Sequence, residues 1–216
     1  MDKRVELFCG DCMEYMKSMP DKSVDVVFAD PPYGNNTEYM NYADTSENLI
    51  ELVNNFMPQA LRIARMVVVT PGNGNQHLYP IPSHTLAFVN MAGVGYSSWG
   101  FSCWQPILVY GKDPFLANRE GCRPDVMLMR NSGDVDKHNG HPCPKPNNVM
   151  RWIIERTTRK TDTILDPFMG SGTTGVAALQ LNRNFIGCEI SPTYFAIAQK
   201  RVAEAQKQMV MEFSNG

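Results

Sequence analysis

Two short segments of this chain combine carboxylates, stiff turns and glycines in a way that suits group transfer. Asp30-Pro31-Pro32-Tyr33-Gly34 sets a carboxylate, prolyl-stiffened carbonyls and an aromatic ring side by side. Asp166-Pro167-Phe168-Met169-Gly170-Ser171-Gly172-Thr173-Thr174 sets two glycines before a pair of threonines. Each follows an apolar, β-branched run, residues 24–29 in the first case and 163–165 in the second. Both therefore fall where a buried strand of an α/β sheet ends, which is where such sheets bind ligands. The second segment can hold a nucleotide-like cofactor. Together they point to group transfer onto a planar heterocycle.

In the glycine segment, Gly170 and Gly172 let the backbone approach a ligand, and Thr173 and Thr174 open a helix whose first amides face it. No lysine follows Gly172, so this is not a triphosphate-binding P-loop. Gly170, Gly172 and Gly175 reproduce the spacing of a dinucleotide loop, yet the preceding Asp-Pro-Phe is unusual there. Glu189 ends the next strand-like run, where an acidic side chain can take both hydroxyls of a ribose. Considered alone, it would be a solvated strand-end carboxylate, and its placement after the glycine segment is what favours the ribose.

The elements that must position these groups follow from the hydrophobic pattern. Strands are expected at 5–9, 24–29, 66–70, 163–165 and 185–188. Helices are expected at 11–18, 49–64 (interrupted or kinked by Pro58), 86–91, 149–159, 173–181 and 192–208. Residues 35–47 are a polar loop, and 71–75 form a turn cluster. The aromatic runs 95–101 and 106–110 can pair as a hairpin. Residues 112–140 read as a long excursion with little regular structure. The alternation of strand and helix predicts one α/β domain over residues 1–216, a doubly wound, mostly parallel sheet with an antiparallel hairpin at one edge.

Bulk composition narrows the field. Hydrophobic residues make up 43% and charged residues 19%, which excludes disorder. A net charge of −2 means that any polyanion must be met by a local patch. The six cysteines are scattered and read as reduced thiols of a cytoplasmic protein. Cys9 and Cys12 have no second pair at zinc spacing, so Cys9 reads as a buried strand thiol. His141 and Cys143 are separated by Pro142 and followed by Pro144, a rigid loop rather than a chelate, and no metal is expected. No apolar run approaches the roughly 18 residues of a membrane span, and the charged first residues are not signal-like.

In combination, the two segments resemble the catalytic and cofactor loops of S-adenosylmethionine-dependent DNA amino-methyltransferases. The order, with the catalytic loop first, resembles the circularly permuted β group of that family. Further matches are Gly10-Asp11-Cys12, Ile107-Leu108-Val109-Tyr110-Gly111-Lys112 and His141-Pro142-Cys143-Pro144-Lys145-Pro146, the last departing from the family pattern at Cys143 and Pro144. The resemblance covers nearly the whole chain outside 112–140 and implies a Rossmann-like methyltransferase fold.

The resemblance also implies roles. An exocyclic base amine is a poor nucleophile because its lone pair is delocalised into the ring. Asp30 and the Pro31 carbonyl, held by Pro32, would accept both amino hydrogens and direct the lone pair at the methyl group. Tyr33 would stack on a base flipped out of the helix. Asp11 would meet the cofactor's adenine, although it is equally placed as a helix N-cap, and Glu189 would meet its ribose. Asp166 and the loop of Phe168, Gly170, Ser171, Gly172, Thr173 and Thr174 would hold the methionine portion, with Lys145 and Pro146 at its border.

Tyr39 and Tyr42 would close over the base or serve as ordinary surface packing. Residues 112–140 are the candidate target-recognition region, with Arg119, Arg123, Arg130 and Lys137 available to DNA. Arg151, Arg156, Arg159 and Lys160 form a second basic cluster, or simply a solvated helix face. Asp at the first motif position goes with adenine as acceptor, with the 4-amino group of cytosine as the alternative. RNA or protein-amide methylation fits less well, because it usually pairs Asn-Pro-Pro-Tyr with the opposite loop order. A nucleotide-dependent oxidoreductase and a non-catalytic DNA-binding subunit are weaker rivals. The implied partners are double-stranded DNA and, given so short a recognition region, a second copy or an auxiliary subunit. The implied setting is restriction-modification in a bacterial or phage-infected cell.

Overall fold

Fully apolar strands covered by helices on both faces dictate the architecture. The computed structural model describes residues 4–39, 42–97, 99–129 and 145–214. Its first half runs β1 (Val5–Cys9), α1 (Cys12–Ser18), β2 (Val24–Ala29), the two-residue strands β3 (Glu38–Tyr39) and β4 (Tyr42–Ala43), α2 (Ser46–Ile63) and β5 (Ala64–Val69). There follow β6 (His84–Asn90), the short strands β7 (Gly95–Ser97) and β8 (Gly100–Ser102), β9 (Trp104–Tyr110) and β10 (Val126–Met129). The chain closes with α3 (Asn147–Thr157), β11 (Thr163–Asp166), α4 (Thr173–Gln180), β12 (Asn184–Glu189) and α5 (Pro192–Ser214).

Eight strands form one sheet in the order β1-β12-β11-β2-β5-β9-β6-β10, and within it β9 runs against all the others. Side chains of the central strands alternate between two cores. Val24, Val27 and Ala29 of β2 pack on the α1 and α2 side with Met16, Val53 and Phe56. Val26 and Phe28 pack on the opposite side with Ile153, Ala177 and Ala198 of α3, α4 and α5. Burying both faces makes these strands continuous apolar runs, which is why the sequence pattern located them to within a residue or two.

The sequence expectation fails at the antiparallel end. Of residues 86–91, read as a short helix, all but Met91 belong to β6, with Leu86 and Phe88 buried in alternation. A run this short fits either period, and pairing with β9 decides it. The expected hairpin between 95–101 and 106–110 is also redistributed. β7 pairs with β8 inside the first run, while β9 pairs with both β6 and β5. Val126–Met129, inside the expected irregular excursion, is the edge strand β10, parallel to β6. Pro58 lies within an unbroken α2. Cys9, expected to be a buried strand thiol, is exposed, and Cys12 is the buried thiol of the pair. Cys9 falls at the last position of β1 and is the one exposed residue of that strand.

Candidate active site

The two chemically loaded loops meet because their strands are neighbours. β11 and β2 pair in parallel through Ile164↔Val26 and Leu165↔Val27. From β11 the chain passes through α4 to β12 on one side, and from β2 through α2 to β5 on the other. Strands that diverge in this way leave a crevice at their carboxyl ends. A cavity of about 330 Å³ occupies it, lined by Asp30, Pro31, Pro32 and Tyr33 from one loop and by Asp166 to Ser171, Thr173 and Thr174 from the other. Asp11, Lys145 and Glu189 complete the wall. The size suits a small organic ligand.

Asp30 is the most heavily bonded group in this crevice. Its Oδ1 accepts from the Tyr33 hydroxyl at 2.5 Å, the Thr70 hydroxyl at 2.5 Å and the Lys145 ammonium at 2.6 Å. Its Oδ2 accepts from the same ammonium at 2.8 Å. Lys145 also donates to the Tyr33 hydroxyl. Sequence reasoning placed Lys145 at the cofactor border, and the fold puts its ammonium on Asp30. The Lys145 side chain is only 10% exposed, so this ion pair is shielded from solvent. A Cβ on Gly72, which has φ +75°, would lie 3.1 Å from the Tyr33 ring, so the ring packs directly on that backbone.

On the other wall, burial pushes the Asp166 carboxyl up to about 7, partly opposed by hydrogen bonds from the Thr174 side chain and the Phe168 amide. Glu189 is raised too, chiefly by burial, while its oxygens accept from the amides of Gly170 at 2.9 Å and Ser191 at 2.8 Å. Asp11 caps α1 by accepting from the Met13 amide at 2.7 Å and still borders the cavity, so both readings of it hold geometrically. Gly172 does not line the cavity. It stands behind the loop at φ +82°, where a Cβ would lie 3.0 Å from that of Ala198. The Cys12 thiol at the wall is pushed up to about 12 by burial, so it is an inert neutral group.

Comparison with known proteins agrees with this arrangement. A family described as DNA methylase matches residues 103–200. The type II methyltransferase M2.MboI of Moraxella bovis is 27% identical, covering 98% of this chain and 92% of its own. The DNA adenine methyltransferase YhdJ of Escherichia coli (strain K12) is 25% identical, covering 95% and 85%. In fold, the chain is similar to the PvuII DNA methyltransferase, described as cytosine-N4-specific, with a TM-score of 0.69 and 16% identity over 96% of this chain and 93% of that one. These similarities support an S-adenosylmethionine-dependent DNA amino-methyltransferase. Enzymes of this kind act on DNA, with adenine named for the Escherichia coli relative and cytosine for the PvuII enzyme.

Several residues that brace the methyltransferase's loops carried no sequence signal. Asp44, buried before α2, accepts from the amides of Gly34, Asn35 and Thr37 and so shapes the chain after Tyr33. Asn75 donates to the Tyr33 carbonyl at 2.8 Å. Arg201 of α5 reaches back to the Ser171 carbonyl at 2.6 Å and to the hydroxyls of Ser171 and Thr173. The Asn75 and Arg201 contacts join positions far apart in sequence, so nothing local announces them. Among the described residues, the Tyr42 hydroxyl is buried without a hydrogen-bond partner, and Tyr42 lines the cavity.

The residues expected to meet DNA are dispersed. Arg123 stacks over the Phe115 ring at 3.4 Å. Arg156 pairs with Asp113 at 2.7 Å, and Arg159 bonds the Pro114 carbonyl and Glu120, so both pin the segment after Gly111 onto α3. Arg119 and Arg151 are exposed. For Tyr39 only the backbone is described, and Arg130, Lys137 and 141–144 lie outside the described residues. Among the described residues no group of His, Cys, Asp and Glu is arranged to hold a metal, and no helix is long and apolar enough to cross a membrane.

Proposed function

We propose that this methyltransferase transfers the methyl group of S-adenosylmethionine to the 6-amino group of adenine in double-stranded DNA, after flipping the base into the crevice. The observation that carries this reading is the placement of the Asp30 carboxylate and Pro31 in the same cavity as the glycine loop. The residues present fit such a cofactor. The wall offers a buried carboxyl (Asp166), a second carboxylate at a strand end (Glu189) and a tyrosine hydroxyl (Tyr42) in need of a partner. When bound, the cofactor supplies an electrophilic methyl group on a sulfonium, so no metal or covalent enzyme intermediate is needed.

The chain's own residues then do the positioning. Asp30 accepts one amino hydrogen and the Pro31 carbonyl the other, which turns the nitrogen lone pair toward the methyl donor. Three of the four contacts on Asp30 fall on Oδ1, so Oδ2, which accepts from Lys145 alone among the described residues, keeps a lone pair for an incoming amine. The Tyr33 ring, seated on Gly72, offers the stacking face. Asp11 and Glu189 meet the adenosine portion of the cofactor, while Asp166 and the backbone of Phe168 to Thr174 meet the methionine portion. Asp at the head of the catalytic motif favours adenine. The stretch after Gly111 is too short to recognise a long site, which favours a short target, a second copy or a separate recognition subunit.

The test is methyl transfer from labelled cofactor into unmethylated duplex DNA, with identification of the modified nucleoside. N6-methyladenine is the expected product. N4-methylcytosine would overturn the acceptor and retain the family, and no transfer with cofactor bound would overturn the proposal.

Asp166 makes cofactor binding dependent on pH. The ionised carboxyl holds a cationic ligand, so below pH about 7 binding must first remove its proton. Affinity is expected to rise by up to about tenfold per pH unit as far as about pH 7 and then level off, and Asp166→Asn should flatten the profile. Calorimetric titration across this range checks it. Stability moves the other way, because the folded state holds this proton more tightly than the unfolded chain does. The contribution is full below about pH 4 and is lost as pH rises through about 7.

A further inference from the structure

Strands β7 and β8 form a separate two-stranded ribbon whose aromatic side chains face outward. Trp99 at its turn is 97% exposed, Tyr96 84% and Phe101 69%. The Tyr96 and Phe101 rings lie cross-strand with centroids 5.0 Å apart. An isolated ribbon of this size is marginal in water, and a contiguous apolar patch at its tip marks a contact site. We infer that this ribbon is a DNA-contacting wedge, with Trp99 packing on base faces a few base pairs from the target nucleotide.

Its location follows from the sheet register. Trp104, at the start of β9, pairs with Val89 near the end of β6, and Leu108 pairs with Val69 at the end of β5. The root of the ribbon therefore stands at the same edge of the sheet as the Asp30 loop. Side chains tie the intervening turn to both ends of this edge: Asn73 donates to the Trp104 carbonyl at 2.9 Å, and Asn75 to the Tyr33 carbonyl at 2.8 Å. Three strand spacings separate β2 from β6, about 15 Å at the usual distance between strands. That is about four base-pair steps along a duplex whose target base sits at Asp30.

Charge selects DNA as the occupant. No Asp or Glu occurs between Glu51 and Asp113, although the chain has 22 acidic residues in 216. The arginines of this stretch lie away from this edge, Arg62 paired with Asp21 and Arg65, at the start of β5, with Asp25 and Asp162. The turns that it contributes to this edge thus bring no carboxylate against phosphates. The ribbon itself, from Met91 to Trp104, has no charge at all, so its gain comes from stacking and wedging rather than from ion pairing. Meanwhile Arg123, Arg156 and Arg159, expected to contact DNA, are engaged with Phe115, Asp113, Pro114 and Glu120.

The inference rests on the proposed DNA substrate and is tested with Trp99→Ala and Trp99→Phe in the full chain. Affinity for an unmethylated mixed-sequence duplex is measured by fluorescence anisotropy at several salt concentrations, beside cofactor affinity and sedimentation mass. Trp99→Ala is expected to lose about tenfold in duplex affinity, with Trp99→Phe recovering most of it. The slope of affinity against salt and the cofactor affinity should not change, since no cation is removed. Duplex affinity within about twofold of the parent would overturn the inference. So would a drop in sedimentation mass, which would make the ribbon a contact between two copies of this chain. Failure of the parent to methylate any duplex would instead overturn the proposed function.

Discussion

Replacing Asp30 by alanine is expected to slow methyl transfer by about 10³-fold while leaving cofactor affinity within a few fold, because the lost acceptor acts on the amine and not on the cofactor. The substitution has a second consequence that must be separated from the first. It leaves the Lys145 ammonium, 10% exposed, without its carboxylate. An uncompensated, shielded charge is itself destabilising by a few kcal/mol, roughly 3–5 when fully buried. The double variant Asp30→Ala/Lys145→Met removes that charge. If Asp30 acts on the amine, the double variant regains thermal stability but none of the lost rate. Lys145→Met alone is expected to cost about tenfold in rate, since it frees the carboxylate from one of its orienting contacts, and its effect should vanish in the Asp30→Ala background. Equal loss of rate and cofactor affinity in Asp30→Ala would remove Asp30 from the reacting centre.

Gly172→Val is expected to have the opposite signature. Its backbone sits at φ +82° and ψ 22°, where a non-glycine residue is strained, and a Cβ would meet Ala198 at 3.0 and 3.1 Å. Ala198 belongs to the buried core of α5, so the neighbour cannot swing aside as a flexible side chain would. Strain of about 1–3 kcal/mol and overpacking of about 1–3 kcal/mol combine to push the loop off α5. The melting temperature should fall by several degrees, at roughly 2–4 °C per kcal/mol for a chain of this size. Because Ser171 and Thr173 flank the displaced residue and line the cavity, cofactor affinity should drop at least tenfold. Gly74→Ala is the control. It also has positive φ, but a Cβ there meets nothing, so it should leave cofactor affinity intact. A Gly172→Val protein that melts and binds cofactor like the parent would show that the loop tolerates the intrusion.

Much of the candidate site is legible in local pattern. The doubly buried strands β2, β11 and β12 reveal themselves as short apolar runs, and the glycines and prolines after them mark where ligands approach. Nine of the eleven residues expected around the cofactor line the cavity; the exceptions are Pro146 and Gly172, which supports the loop from behind. The pattern misleads where one period is too short to decide, as in 86–91, or where several aromatic runs compete for partners, as in 95–110. In both places pairing across the sheet overrides local preference.

By itself, then, the sequence determined the fold class and the order of its two chemical loops, because strands buried on both faces must be apolar and turns at their ends need glycine or proline. It also carried the acid-free stretch from residue 52 to residue 112. Only the tertiary structure decided which distant groups meet. The Lys145 ammonium sits on Asp30 across 115 positions of chain, Arg201 braces Ser171, and Asp44 gathers the amides that follow Tyr33. Such contacts depend on how the sheet orders its strands, and that order is set by packing of the whole core rather than by any local run of residues.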